Sequence, residues 1–117
     1  MRHLNRVTFI GRLAADPDLR QTKDGKVVVN FPVAINRKIK GDGDQLVDAV
    51  DFHRVVVFSG LADIANRFLT KGSPIYLEGR LINNSYNDSD GNKQWKTEIV
   101  ADSLNILSWN KKEDPAS

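Results

Sequence analysis

Apolar and polar positions along this chain alternate with a period of two over most of its length, the signature of strands with one buried face. LNRVTFIGRL at 4–13 sets Val7, Phe9 and Leu13 on one side. KVVVNFPVAINRK at 26–38 does so more strongly, with Val27, Val29, Phe31, Val33 and Ile35 pointing one way and Lys26, Asn30, Asn36 and Lys38 the other. Pro32 cannot donate to a ladder, so it predicts an unpaired position or a bulge. DFHRVVVF at 51–58 splits into Phe52, Arg54, Val56 and Phe58 on one face and His53, Val55 and Val57 on the other, which reads as core. Further strands are predicted at 75–82, 93–100 and 103–108. Asp16-Pro17 and Asp24-Gly25 are turn signals, the second suited to a tight hairpin. Gly and Asp content makes 40–50 a loop, and NNSYNDSDGN at 83–92 a long polar hairpin tip.

The period changes once. Leu61, Ile64, Ala65, Phe68 and Leu69 recur at helical spacing. Ser59 is the expected N-cap, Lys71 falls in the last turn, Gly72 fits the position after it, and Pro74 stops the helix. Phe68 and Tyr76 are assigned to the core. Gly-Arg-Leu occurs at 11–13 and again at 79–81, and mid-strand glycines mark the bends a small closed barrel requires. The order strand, strand, strand, helix, strand, strand is that of an all-β OB-fold, a five-stranded Greek-key barrel with one α-helix between strands 3 and 4 and an extended 4–5 hairpin. The alternative is an α+β sandwich with the helix on one sheet. OB-folds bind oligonucleotides or oligosaccharides on strands 2 and 3 and the 1–2 and 4–5 loops.

Burial alone gives no reason for an arginine between two phenylalanines. A flat aromatic surface beside a cation is what unpaired nucleobases stack on. The alternative is that both rings pack beneath a covering element. Charge sharpens the picture: residues 20–40 carry Arg20, Lys23, Lys26, Arg37, Lys38 and Lys40 against Asp24, whereas 42–51 carry Asp42, Asp44, Asp48 and Asp51 with no base. A basic strand followed by an acidic loop favours an oriented electrostatic surface over uniform solubilisation. The 117 residues suffice for one domain, and the absence of cysteine excludes disulfides and thiolate metal sites. No apolar run has the roughly 18 residues of a membrane span, and the N-terminus lacks a signal-peptide core, so the cytoplasm is the expected location. Asp42-x-Asp44 and Asp88-x-Asp90-Gly91 lack the remaining ligands of a calcium loop. No metal, cofactor or catalytic residue is expected; a metal-dependent nuclease would need carboxylates converging from strands, and most here sit in loops.

GRLAADPDLR (11–20), DFHRVVVF (51–58), LADIANRFLTKGSPIYLEGRL (61–81) and DGNKQWKTEIVAD (90–102) resemble the bacterial single-stranded DNA-binding protein family, in order and from about Leu4 to Leu107. The resemblance implies a homotetramer of OB-folds that binds and protects single-stranded DNA without strong sequence preference in replication, recombination and repair. It implies stacking at Phe52 and Tyr86, where the family usually has Trp, and at Phe58. A fourth position, usually aromatic, corresponds to Ile39. Arg54 and Lys71 match positions near the DNA path, and Arg37, Lys38 and Lys96 join them on face and charge. Trp95 is left between packing and base contact, and Trp109 between covering a barrel mouth and exposure. His53, as a core or subunit-interface residue, and the first strand with Asn5 and Val7 are the expected oligomer surfaces. Residues 1–109 form the expected domain and 110–117 a short disordered remnant. Replication and repair partners are expected only where the family's acidic tail exists, and nucleoid association follows from DNA binding. A rival reading is a replisome adaptor of the OB class that binds DNA weakly.

Overall fold

The alternating runs become six strands that close on themselves. In the computed structural model, which describes residues 2–108, the elements are β1 (Val7–Leu13), β2 (Asp18–Gln21), β3 (Val27–Lys40), β4 (Leu46–Phe58), α1 (Ser59–Phe68), β5 (Pro74–Asn87) and β6 (Lys93–Ile106). The sheet runs β1-β5-β6-β4-β3-β2, and Arg12↔Ala34 and Leu13↔Val33 pair β1 back onto β3. That pairing closes a five-stranded barrel and rules out the open sandwich. Among the described strands only β4 and β6 run parallel, through Val55↔Ile99 and Val56↔Val100. The short β2 was not anticipated; it continues the edge that β1 leaves, pairing Asp18–Gln21 with Val27–Asn30. Pro32 lies in the gap between these two pairings, where its missing N–H costs nothing.

Inward positions fill the barrel. Leu13, Val29, Phe31, Val33, Val55, Val57, Ile75, Leu77, Ile99 and Ala101 are buried together, and Ala62, Ala65 and Leu69 of α1 join them. The repeated glycines are places of close approach. A Cβ on Gly79 would stand 2.2 Å from the Val100 carbonyl oxygen, and one on Gly11 2.6 Å from Val33 Cγ1 and 2.7 Å from the Ala34 oxygen. The register between β5 and β6 also shifts at Glu78/Gly79. This bulge makes 93–106 a single bent strand rather than two.

Several local expectations change. Residues 40–50 are not a loop: β3 and β4 run on past the barrel to Lys40↔Leu46, forming a two-stranded arm around a 3-10 turn at Asp42–Asp44. Asp42 and Asp44 sit in that turn, where Gly43 and Asp44 take the left-handed backbone. The helix keeps part of the predicted stripe: Ala65 and Leu69 are buried and Leu61 packs against the core, but Ala62 joins them while Ile64 and Phe68 are exposed. Small residues let α1 sit close on the barrel end, and a hydrophobicity count undervalues alanine there. Ser59 is the first helical residue, Phe58 precedes it without a side-chain cap, and Arg67 rather than Lys71 lies in the last turn. Gly72, with φ 92°, belongs to the next turn. Tyr76 is outward-facing rather than core; its hydroxyl donates to Glu78 Oε1 at 2.6 Å, and that bond holds the phenol above its usual pKa. Trp109 and the 110–117 segment lie outside the described residues.

Candidate nucleic-acid interface

The register of β3, β4, β5 and β6 decides which side chains share the outer face. Val28↔Phe58, Pro32↔Arg54 and Ala34↔Phe52 align the β3–β4 pair, so Phe52, Arg54, Val56 and Phe58 all point away from the core. Phe52 is 65% exposed and Phe58 43% exposed. Among the described residues no element covers either ring, which leaves both open rather than packed beneath one. The face continues sideways onto β6 and β5. Glu98 pairs with Ile82, Lys96 with Asn84 and Gln94 with Tyr86, so Lys96 and Tyr86 carry the same surface along a second arm formed by β5 and β6. Lys96 Nζ stands 6.0 Å from the Tyr86 ring centroid.

Glu98 organises this surface, and the sequence reading did not single it out. It is 5% exposed. Its Oε2 accepts from Arg54 Nε at 2.5 Å and lies 3.9 Å from Lys96 Nζ, and its Oε1 accepts from Asn84 Nδ2. A buried carboxylate needs such partners, since an unpaired one is costly. The result is an anchored Arg54 between the two phenylalanines, its guanidinium held in one orientation. Arg54 thus gives the aromatic face an attached, half-exposed cation rather than a mobile one. Glu98 could have been found from its period-two position in KQWKTEIV, where it breaks an otherwise neutral or basic outer face.

The basic strand and the acidic loop meet each other. Lys38↔Asp48 are directly opposed and ion-paired, Arg37 Nε donates to Asp51 Oδ2 at 2.7 Å, and Lys40 Nζ lies 3.2 Å from Asp44. The expected oriented basic surface is therefore largely neutralised within the β3–β4 arm. Lys38 shares the face of Phe52, but Arg37 and Ile39 stand on the other side of the arm, where Ile39 pairs with Val47.

The remaining candidates are placed apart. Lys71 is in the turn after α1, a helix length (about 15 Å) from the Phe58 end. Its backbone N–H donates to Asp16 Oδ1 at 2.7 Å, which ties the turn to the β1–β2 connection. Trp95 pairs with Ser85 on the reverse side of the β5–β6 arm from Tyr86. His53, read as inward, is exposed at the barrel rim and stacks on Phe9 with centroids 6.1 Å apart. Asn5 extends the β1–β5 ladder with its side chain: Nδ2 donates to the Leu81 carbonyl at 2.8 Å, and Oδ1 accepts from the Leu81 N–H at 2.9 Å. Val7 is half-buried, its side chain packed on the core.

Residues 4–107 match the model of the single-strand binding protein family. The chain belongs to that family. Among curated relatives it is 43% identical over 115 residues to single-stranded DNA-binding protein 1 of Xylella fastidiosa, covering 97% of this chain and 83% of that one. The protein of the same name from Chlorobaculum tepidum is 40% identical, with 91% and 66% covered. Single-stranded DNA-binding protein of Neisseria meningitidis is 36% identical, with 89% and 60% covered, so the chain spans only part of the length of some relatives. A solved structure described as a Plasmodium falciparum SSB complex with single-stranded DNA superposes with a TM-score of 0.83 at 26% identity, covering 92% of this chain and 98% of that one. Both the OB architecture and the family resemblance read from the motifs are thereby shown.

Proposed function

We propose that this chain binds single-stranded DNA without strong sequence preference, stacking unpaired bases on Phe52, Phe58 and Tyr86 while cations neutralise the phosphates. The observation that carries this reading is the uncovered pair of phenylalanines flanking the anchored Arg54. Every base has a π-face, so such a surface is tolerant of sequence, and a duplex keeps its bases stacked on one another and cannot offer them. Arg54 and Lys96 lie within this face; Lys38 shares it but must exchange Asp48 for a phosphate, and Arg37, across the arm, and Lys71, beyond α1, would meet only DNA that runs on past the face. Its relatives named single-stranded DNA-binding protein and the SSB–DNA complex it superposes on support the same ligand. The chain acts by holding DNA in replication, recombination and repair, not by catalysis. Its place is the cytoplasm at the nucleoid, and no described helix is long and apolar enough to cross a membrane.

The functional unit in this reading is a homotetramer. On the edge of β1 facing β3 only Arg12 and Leu13 are paired, so among the described residues Val7–Gly11 have an open strand edge there. Open edges are templates for pairing with another chain, and a two-fold dimer uses one patch twice. Asn5, Val7 and the Phe9–His53 stack lie at this edge and would flank the dimer contact. Replication and repair enzymes join as partners where an acidic tail follows the domain.

The test is a titration of fluorescent oligonucleotides at moderate salt. Tight binding of single strands with far weaker binding of the same sequence as duplex is expected. Equal affinity for both, or weak binding to both as the adaptor reading requires, overturns the proposal.

A further inference from the structure

The β5–β6 arm has two sides, and only one belongs to the stacking face described above. On the reverse side Asn83 pairs with Thr97, Ser85 with Trp95 and Asn87 with Lys93. Trp95 is 63% exposed, among the most exposed large side chains of the described residues. Lys93 Nζ lies 4.7 Å from the Trp95 ring centroid, and among the described residues Lys93 makes no ion pair. Neither does this side carry any carboxylate between positions 83 and 87 or at 93, 95 and 97.

The geometry points to a second nucleobase subsite on this reverse side, formed by Trp95 with Lys93 above it, which takes a segment of single-stranded DNA beyond the one stacked on Phe52 and Tyr86. Resting on the DNA-binding reading above, it makes the arm a post around which the strand turns. The chemistry favours nucleic acid over a second copy of this chain. One ring buries about 150–250 Å², whereas a stable protein interface needs about 800 Å² per partner. The neighbours of Trp95 on this side are Ser85, Asn83 and Thr97, hydrogen-bonding groups rather than an apolar patch. An indole with an unpaired ammonium beside it offers one base and one phosphate what they need: a π-surface and a positive charge. Tyr86 and Trp95 occupy adjacent rungs on opposite faces, so one nucleotide cannot contact both, and the two subsites require separate stretches of the strand.

The chain has two tryptophans, Trp95 and Trp109, so a Trp109→Phe variant leaves Trp95 emission as a direct reporter. Binding is followed in parallel by the anisotropy of end-labelled oligo(dT). Strands near the lower end of an OB-fold's site range (about 4 nucleotides) should bind with Trp95 emission unchanged. Strands at the upper end (about 16 nucleotides) should quench it. Trp95→Ala should then weaken long strands roughly 5- to 140-fold and short ones hardly at all, with Trp95→Phe recovering most of the loss. Anisotropy showing saturation by long strands without quenching overturns the second subsite and leaves the DNA-binding reading intact. Quenching that is equal for short and long strands overturns the separate-segment claim. Emission that changes on protein dilution but not on adding DNA assigns Trp95 to a subunit contact and refutes the subsite. No anisotropy change with any strand removes both readings.

Discussion

Replacing Asp48 and Asp51 by Asn together should tighten DNA binding and steepen its salt dependence. In the parent chain Lys38 is held by Asp48 and Arg37 by Asp51 across the β3–β4 arm. Each cation must exchange a carboxylate for a phosphate on binding, so the net change in its counterion environment is small. Both pairs are exposed, so each contributes only about 0–1 kcal/mol to folding, and the variant should melt close to the parent. Freeing two cations for single-stranded DNA adds about 1.4 to the slope of log affinity against log salt, from roughly 0.7 per phosphate neutralised. Over a fourfold dilution of salt the variant should therefore gain about sevenfold more affinity than the parent gains. Fluorescence anisotropy across a salt series measures this directly, with circular dichroism melts as the folding control. Identical slopes for variant and parent would show that Arg37 and Lys38 never reach phosphate, and the role given to the β3–β4 arm would be wrong.

Phe52→Ala, Phe58→Ala and Tyr86→Ala should each cost about 1–3 kcal/mol of single-strand affinity, the established range for base–aromatic contacts in this class of protein; Ile39→Ala, on the other side of the arm, should cost less than any of them, and parent-like binding by both Phe variants would refute the face assignment. Gly79→Ala should destabilise the fold by about 1–3 kcal/mol or more, because the new Cβ meets the Val100 backbone rather than a yielding side chain, whereas Gly60→Ala in α1 meets nothing within 4 Å; thermal melts giving equal midpoints would contradict the close-approach argument. The arm tip should survive acidification better than an ordinary carboxylate would allow: Asp88 accepts from the backbone of Asn92, from Gln94 and from the backbone of Asp90, with Gly91 adding to the effect, which lowers its pKa. A depressed folded pKa means the contribution is present above the usual carboxylate value and is lost only as pH falls through the lower one. Amide resonances of Asp90 and Asn92 followed against pH should move below the usual value, and a midpoint at or above it would contradict the turn chemistry.

Much of the barrel was legible because its strands obey a strict alternation that a one-residue slip would destroy. Val29, Phe31, Val33, Val55 and Val57 could be placed inward from period alone, and so could the outward Phe52, Arg54 and Phe58, whereas His53 shares the inward period yet is exposed. What period could not give was partnership between strands. Asp48 looked like part of an acidic loop until the register set it against Lys38, and Glu98 gained significance only with β6 laid beside Arg54. Composition misled at 40–50, where glycine and aspartate marked a tight turn only three residues long and the flanking strands simply continued. On the helix, period placed Ala65 and Leu69 in the core, but Ile64 and Phe68 outweighed Ala62 in hydrophobicity while closeness to the barrel end selected the small side chain. The proposed subunit contacts leave even weaker traces: Asn5 and His53 are polar residues whose placement near the open edge of β1 shows only in three dimensions.

The most direct test of the central claim is photocrosslinking of the parent chain to oligonucleotides carrying 5-iodouracil, with the crosslinked residues read by mass spectrometry. This chemistry reports rings in stacking contact with a base. The account predicts adducts at Phe52, Phe58 and Tyr86, lost when excess unlabelled single strand competes and unaffected by excess duplex. Adducts confined to Tyr76 or Phe68, with none on the Phe52–Phe58 face, would place the DNA elsewhere on the barrel and contradict it.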